Sequence, residues 1–183
     1  VNAVPTITSV SASPTLLCIG STISLSATGV TGFSGSPTYA WTGPNSYSSA
    51  ATAPSFTASV TAASGVYSLT VTYPGTGCTS AVSTTTAVTV NAVPTISSVS
   101  ASPTLLCVGS TISLSATGVT GFSGSPTYAW TGPNSYSSAA TAPSFTASVT
   151  AASGVYSLTV TYPGTGCTSA VATTTAEIGR AHV

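Results

Sequence analysis

Residues 1 to 176 of this 183-residue chain contain no Asp, Glu, Lys, Arg or His. The chain's only residues of those types, Glu177, Arg180 and His182, stand in its last seven positions. An ordinary soluble domain is about one quarter charged. The absence removes whole classes of chemistry. General acid–base catalysis draws on His, Asp, Glu, Lys, Cys or Tyr, and only Cys and Tyr remain in the repeats. A Ser or Thr nucleophile needs an activating base, and none accompanies them. Nucleic acid demands positive charge against phosphate. Calcium sites demand carboxylates. No Gly-rich phosphate loop follows a strand and opens a helix. The sequence therefore points away from an enzyme and calls for no cofactor and no metal.

Other absences narrow the class further. No apolar run approaches the roughly 20 residues of a membrane-spanning helix. No signal peptide is visible, and the chain opens in mid-pattern at Val1-Asn2-Ala3-Val4-Pro5. No window shows the apolar spacing of a helix. No Asn-x-Ser/Thr glycosylation site occurs, since Asn45-Ser46-Tyr47 and Asn134-Ser135-Tyr136 both lack the hydroxyl residue.

Hydroxyl residues take the place of charge. Ser and Thr make up roughly two in five residues, far above ordinary usage. Disordered chains share a bias toward Ser, Gly and Pro but lack β-branched and aromatic residues and carry net charge. Here 42% of residues are hydrophobic and the net charge is zero, so a packed core is expected.

The chain is an internal repeat. Cys18, Trp41, Tyr67 and Cys78 recur as Cys107, Trp130, Tyr156 and Cys167, each 89 positions later. Between 2–87 and 91–176 only Thr8/Ser97, Ile19/Val108 and Ser83/Ala172 differ. Two enzymatic roles would diverge, whereas near-identical units suit a spacer or polymer. A period of 89 fits a small independent domain rather than a solenoid unit. The expected domains are 1–90 and 91–176, joined by a linker of a few residues and closely stacked. The repeat breaks at Glu177. Residues 177–183 match the in-frame translation of a common sequencing adapter and are expected not to belong to the protein, whose native chain would continue with more repeats.

Period-2 alternation marks the strands. It runs through Thr22–Ala27, Thr38–Trp41, Ser55–Val60 and Gly65–Tyr73. Pro74-Gly75-Thr76-Gly77 is a turn. A long Thr/Val strand is expected from about Thr79 to Val90, and an N-terminal strand from about Thr6 to Ser11. Six or seven short strands per repeat imply an all-β sandwich.

On this frame Ala63-Ser64-Gly65-Val66-Tyr67 resembles the tyrosine corner that precedes strand F of immunoglobulin-like domains, and Trp41 resembles their buried tryptophan on strand C. Two residues after the tyrosine, immunoglobulins place a core cysteine. Here Leu69 stands, with Leu25 as its expected partner on strand B. The wider pattern, from Cys18-Ile19-Gly20-Ser21 through Tyr39-Ala40-Trp41 and Gly65-Val66-Tyr67 to Gly77-Cys78-Thr79, is similar to PKD-like and Ig-like repeats of large bacterial surface adhesins and fibre proteins. The resemblance covers residues 1 to 176. It implies two tandem immunoglobulin-like β-sandwiches at an extracellular cell surface, serving as a stalk or spacer.

In that topology Cys18 lies between strands A and B, near the start of B, and Cys78 lies in the turn between F and G, near the end of F. The two strands run the same way, so the cysteines fall at opposite ends of the sandwich. A disulfide needs Cα atoms within about 7 Å, and a six-residue strand spans about 20 Å. Head-to-tail stacking favours Cys18–Cys167 instead, leaving Cys78 and Cys107 for neighbouring repeats. The intradomain pairs Cys18–Cys78 and Cys107–Cys167 remain the alternative. Either would close a loop of about 60 residues, which contributes about 4 kcal/mol on chain-entropy grounds. No CxxC occurs and no His lies in the repeats, which argues against zinc.

A surface without charge promotes association. Two compatible explanations follow. The repeats assemble with neighbouring copies into a fibre, or sugars cover them. Dense Ser/Thr with Pro is a setting for O-glycosylation, and Ser83, Thr84, Thr85, Thr86, Ser46, Ser48, Ser49 and Thr57 are the candidates. The sequence also leaves a carbohydrate-binding adhesin as a second reading. Its aromatic candidates are Tyr47, Phe33 and Tyr73, with their copies Tyr136, Phe122 and Tyr162. The plainer role for these rings is packing at the sandwich ends.

Overall fold

The computed structural model describes residues 2–32, 35–121, 124–148 and 152–174. Phe33, Phe122 and the closing segment 177–183 lie outside the described residues. The chain divides into two compact units, Val1–Ala92 and Val93–Val183.

In the first unit, strands β1 (Ser9–Ser13), β3 (Thr22–Thr28) and β6 (Ser55–Thr57) form one antiparallel sheet in the order β1-β3-β6. The second sheet contains β4 (Thr38–Gly43), β5 (Tyr47–Ser49), β7 (Ser68–Tyr73), β8 (Cys78–Thr79) and β9 (Ser83–Thr84), with β5-β4-β7-β8 in line and β9 also on β7. A third element is parallel: β10 (Thr89–Asn91) pairs with β2 (Leu16–Cys18). The second unit repeats the two antiparallel sheets with β11 (Ser98–Ser102), β12 (Thr111–Thr117) and β15 (Ser144–Thr146) in one. The other holds β13 (Thr127–Gly132), β14 (Tyr136–Ser138), β16 (Ser157–Tyr162), β17 (Cys167–Thr168) and β18 (Ala172–Thr173).

Alternation explains the layering. Along β3, Ile23 and Leu25 point inward and are buried while Thr22, Ser24 and Ser26 are exposed. Leu69 and Val71 of β7 do the same from the opposite sheet, and Trp41 of β4 lies with them. Leu25 and Leu69 thus share one core, as the sequence led one to expect. Each such side chain contributes about 1.5–3 kcal/mol on burial. Ile112, Leu114, Trp130, Leu158 and Val160 build the equivalent core in the second unit.

The outward hydroxyls of the first sheet are ordered. Ser9 and Thr28 share a hydrogen bond at 2.7 Å, Ser11 and Ser26 one at 2.8 Å, and Thr6 and Thr31 one at 2.9 Å. Cross-strand pairing of this kind stabilises a sheet face without charge.

The strands depart from the sequence expectation in several places. The strand expected over Gly65–Tyr73 begins only at Ser68, with Gly65 in an isolated bridge to Val88. The long strand from Thr79 to Val90 is instead three short pieces, because two inward hydroxyls substitute for backbone in the ladder. The Ser80 hydroxyl accepts the Val71 N–H at 3.0 Å and donates to the Ala81 carbonyl at 2.9 Å. The Thr85 hydroxyl accepts the Tyr67 N–H at 3.1 Å. Such local side-chain bonds compete with regular pairing. The Ser55–Val60 strand stops at Thr57, and a 3-10 turn at Thr61–Ala63 follows. The N-terminal strand is Ser9–Ser13 rather than Thr6–Ser11, with Thr6 making only an isolated bridge to Thr31. β2 and β5, three residues each, are too short to show a period.

Candidate functional site

The local chain geometry at the sandwich end collects the aromatics. Asn45 and Ser46 adopt φ of 53° and 57°, the left-handed region, which turns the chain sharply between β4 and β5. The Tyr47 N–H closes the turn on the Pro44 carbonyl at 3.1 Å. Tyr47 then stacks on Phe56 with ring centroids 4.1 Å apart and meets Tyr67 edge-on at 5.5 Å. Gly43 is required beneath them, since a Cβ there would stand 2.3 Å from Tyr67 Cδ1. Tyr67 is fully buried and donates its hydroxyl proton to the Ala63 carbonyl at 2.6 Å. Burial raises its pKa, and the neighbouring Tyr47 adds to the shift. Burial likewise raises Tyr47, with an opposing hydrogen bond from Ser49.

The second unit repeats this arrangement. Tyr136 stacks on Phe145 at 4.1 Å, and Tyr156 donates to the Ala152 carbonyl at 2.7 Å. Burial raises the Tyr156 pKa, with Tyr136 contributing. A cleft of about 180 Å³ opens beside these rings, lined by Pro133, Asn134, Thr146 and Ser148 as well. A second cleft of about 310 Å³ lies between Val93–Ile96 and Ala170–Ala172 and is largely apolar. Neither contains an acid–base pair or a nucleophile with a base. Among the described residues no group of three or more His, Cys, Asp or Glu stands close enough to hold a metal.

The aromatic candidates therefore divide. Tyr47 and Tyr136 are half-buried and have a ring face against a phenylalanine. Tyr73 and Tyr162 pack near Gly35 and Gly75 and near Gly124 and Gly164 respectively. Tyr47 and Tyr136 pack against the cores of their units, and Tyr73 and Tyr162 are half-buried.

Cys18, Cys78 and Cys167 sit in strands, whereas Cys107 does not. Cys18 ends β2 opposite Asn91, and Cys78 opens β8 opposite Tyr73. Cys78 and Cys107 are free thiols, so neither intradomain bond, Cys18–Cys78 nor Cys107–Cys167, is formed. The hydroxyl candidates also divide. Ser46, Ser48, Thr57, Thr84 and Thr86 are exposed, and Ser49 and Ser83 are half-buried. Thr85 is only 5% exposed and its hydroxyl is engaged by the Tyr67 amide, which removes it from the set open to modification. Sequence reasoning could not separate Thr85 from its neighbours in a run of four hydroxyl residues. No helix among the described residues is long and apolar enough to cross a membrane.

No protein-family model matches the chain, and no curated protein matches it. Solved structures do. The chain is similar to murine CEACAM1b, at 12% identity and a TM-score of 0.43 over 94% of this chain and 98% of that one. It is similar to Sidekick-1 immunoglobulin domains 1–4, at 15% and 0.43 over 94% and 48%. It is also similar to three N-terminal domains of the bacteriophage RB49 outer capsid protein Hoc, at 16% and 0.38 over 94% and 58%. At these identities the likeness concerns fold alone. The strand order and the Tyr67–Ala63 corner carry the assignment. Each unit is an immunoglobulin-like sandwich, and the chain is a tandem pair of them.

Proposed function

We propose that this tandem pair is a structural spacer from an extracellular fibre or adhesin stalk, of the PKD-like and Ig-like kind found on bacterial surfaces. The observation that carries the reading is the surface itself. Every charged residue is missing from 1 to 176, and paired hydroxyls occupy the outer face of β1 and β3. Edge strands without Lys or Glu invite association, which is a hazard for a free monomer and an asset for a fibre. The mechanism is mechanical. Stacked sandwiches joined by short linkers transmit tension along the array. In this proposal Cys18 bonds Cys167, while Cys78 and Cys107 serve neighbouring copies. Support comes from the intradomain alternatives, which the free thiols of Cys78 and Cys107 leave unformed. O-linked sugars on Ser46, Ser48, Thr57, Thr84 and Thr86 would cover the remaining edges. Their exposure supports this.

The test is electron microscopy of native material together with its intact mass before and after reduction. Regular filaments with a one-domain axial repeat support the spacer. Dispersed monomers that bind a defined glycan saturably overturn it in favour of a carbohydrate-binding module.

A further inference from the structure

The loop between β5 and β6 differs from the other exposed hydroxyl segments. It joins the outermost strand of one sheet to the outermost strand of the other, since β5 ends the order β5-β4-β7-β8 and β6 ends the order β1-β3-β6. Two bonds anchor it. The Ala51 N–H donates to the Ser49 hydroxyl at 3.2 Å, and the Pro54 carbonyl accepts the Leu25 N–H at 2.8 Å. Ala50, Ala51, Thr52 and Ala53 are all exposed, while Pro54 is buried. Thr52 takes part in no hydrogen bond among the described residues, through backbone or side chain. Its neighbours on both sides are alanines, so no adjacent side chain larger than a methyl screens its hydroxyl. The second unit repeats the loop. Thr141 is exposed between Ala140 and Ala142, with the Ala140 N–H on the Ser138 hydroxyl and the Leu114 N–H on the Pro143 carbonyl.

Other exposed hydroxyls stand on backbone that is already engaged. Ser48, Thr57 and Thr84 belong to β5, β6 and β9. Ser46 occupies the turn that the Tyr47 N–H closes on the Pro44 carbonyl. Thr86 lies in a segment held down by the Thr85 N–H on the Tyr67 carbonyl and the Val88 N–H on the Gly65 carbonyl. Thr76 caps its own turn by accepting the Cys78 N–H. An enzyme that modifies a folded domain must draw the acceptor backbone into its cleft. Exposed loop tips of small residues are where proteases cut for that reason. Thr52 meets the condition and the strand hydroxyls do not.

We infer that Thr52, with its copy Thr141, is the acceptor of an O-linked sugar placed by a glycosyltransferase on the folded domain. The Thr52 hydroxyl oxygen bonds to the anomeric carbon of a phosphate-activated sugar as that carbon's bond to the phosphate oxygen breaks. The hydroxyl proton passes to a base of the transferase, and the phosphate departs with its carrier. The Ala51-Thr52-Ala53-Pro54 setting agrees with the Ser/Thr-with-Pro composition of O-glycosylated chains. The position gives the modification a task. Edge strands are ordinarily kept from unwanted pairing by charge, Pro or a covering loop, and β5 and β6 carry no charge. A bulky, solubilising group on the loop that joins these two edges takes the place of the missing charge. The inference rests on the reading of a sugar-covered surface and names the residue where the cover is attached.

Chymotryptic mapping of the natively isolated chain tests it. Cleavage after Tyr47 and Phe56, and after Tyr136 and Phe145, releases 48–56 and 137–145, which share the sequence Ser-Ser-Ala-Ala-Thr-Ala-Pro-Ser-Phe. Electron-transfer fragmentation then assigns any added mass to one residue. The expected result is a sugar-spaced mass carried more by Thr52 and Thr141 than by Ser48, Ser49, Ser55 and their copies together. In the full chain made by the same cells, T52V with T141V should lose that mass, and T52S with T141S should keep it. A bare peptide, a mass centred on the serines, a phosphate in place of a sugar, or a mass unchanged in the valine variant overturns the inference. Filaments with a bare Thr52 would leave the spacer reading standing and this acceptor refuted. Sugar on Thr52 in chains that form no filament would do the reverse.

Discussion

The Tyr67 hydroxyl reaches back four residues to the Ala63 carbonyl at 2.6 Å, and Tyr156 does the same to Ala152 at 2.7 Å. The bond ties the 3-10 turn to the start of β7 and is made inside the core. Tyr67→Phe keeps the ring and orphans a buried carbonyl, at a cost of about 1–3 kcal/mol. Urea unfolding of a single-repeat protein checks this, and a midpoint equal to that of the parent would refute it.

Gly43 and Gly77 should behave differently on substitution by Ala. A Cβ at Gly43 meets the buried Tyr67 ring at 2.3 Å, so Gly43→Ala should cost about 3 kcal/mol through overpacking. Gly77 has φ of 72° and open space around its Cβ position. Gly77→Ala should cost about 1 kcal/mol from backbone strain alone. Thermal melts of the two variants rank them.

Trp41 Nε1 and Trp130 Nε1 are buried and find no hydrogen-bond partner among the described residues. A buried donor without a partner carries a desolvation penalty. Trp41→Phe therefore forfeits packing only, and should cost about 1–2 kcal/mol, well below the roughly 3–5 kcal/mol of Trp41→Ala. Comparable losses in the two variants would show that the indole N–H is satisfied.

Stability should be flat in acid. No carboxylate or imidazole lies in residues 1–176, so nothing in the repeats titrates between about pH 2 and 7. The buried tyrosines act at the other end. Their folded pKa values lie above the ordinary one, so the unfolded chain loses these protons first. The contribution is complete below about pH 10 and declines as pH rises through the folded values. Denaturant midpoints from pH 2 to 11 check both limbs. A loss of stability at pH 3 would be the contrary result.

Much of this fold is legible in the residues. Thr22–Ala27 alternates cleanly and lies within strand β3, and Ala63-Ser64-Gly65-Val66-Tyr67 forms the corner its sequence resembles. The illegible parts share a cause. With Ser and Thr on every face, an inward hydroxyl such as Ser80 or Thr85 reads like an outward one, although it interrupts the ladder. β2 is recognisable only through its partner Asn91, more than seventy positions away, whose side chain bonds the Leu17 carbonyl. Single-sequence periodicity carries no information at that distance.

The paired hydroxyls along β1 and β3 have an environmental corollary. Mobile ions modulate a protein surface by screening its fixed charges, over a Debye length of about 8 Å at physiological strength and about 3 Å at 1 M. Ser9 with Thr28 and Ser11 with Ser26 offer dipoles but no fixed charge to screen. Contacts built on that face should hold alike in fresh water and in brine.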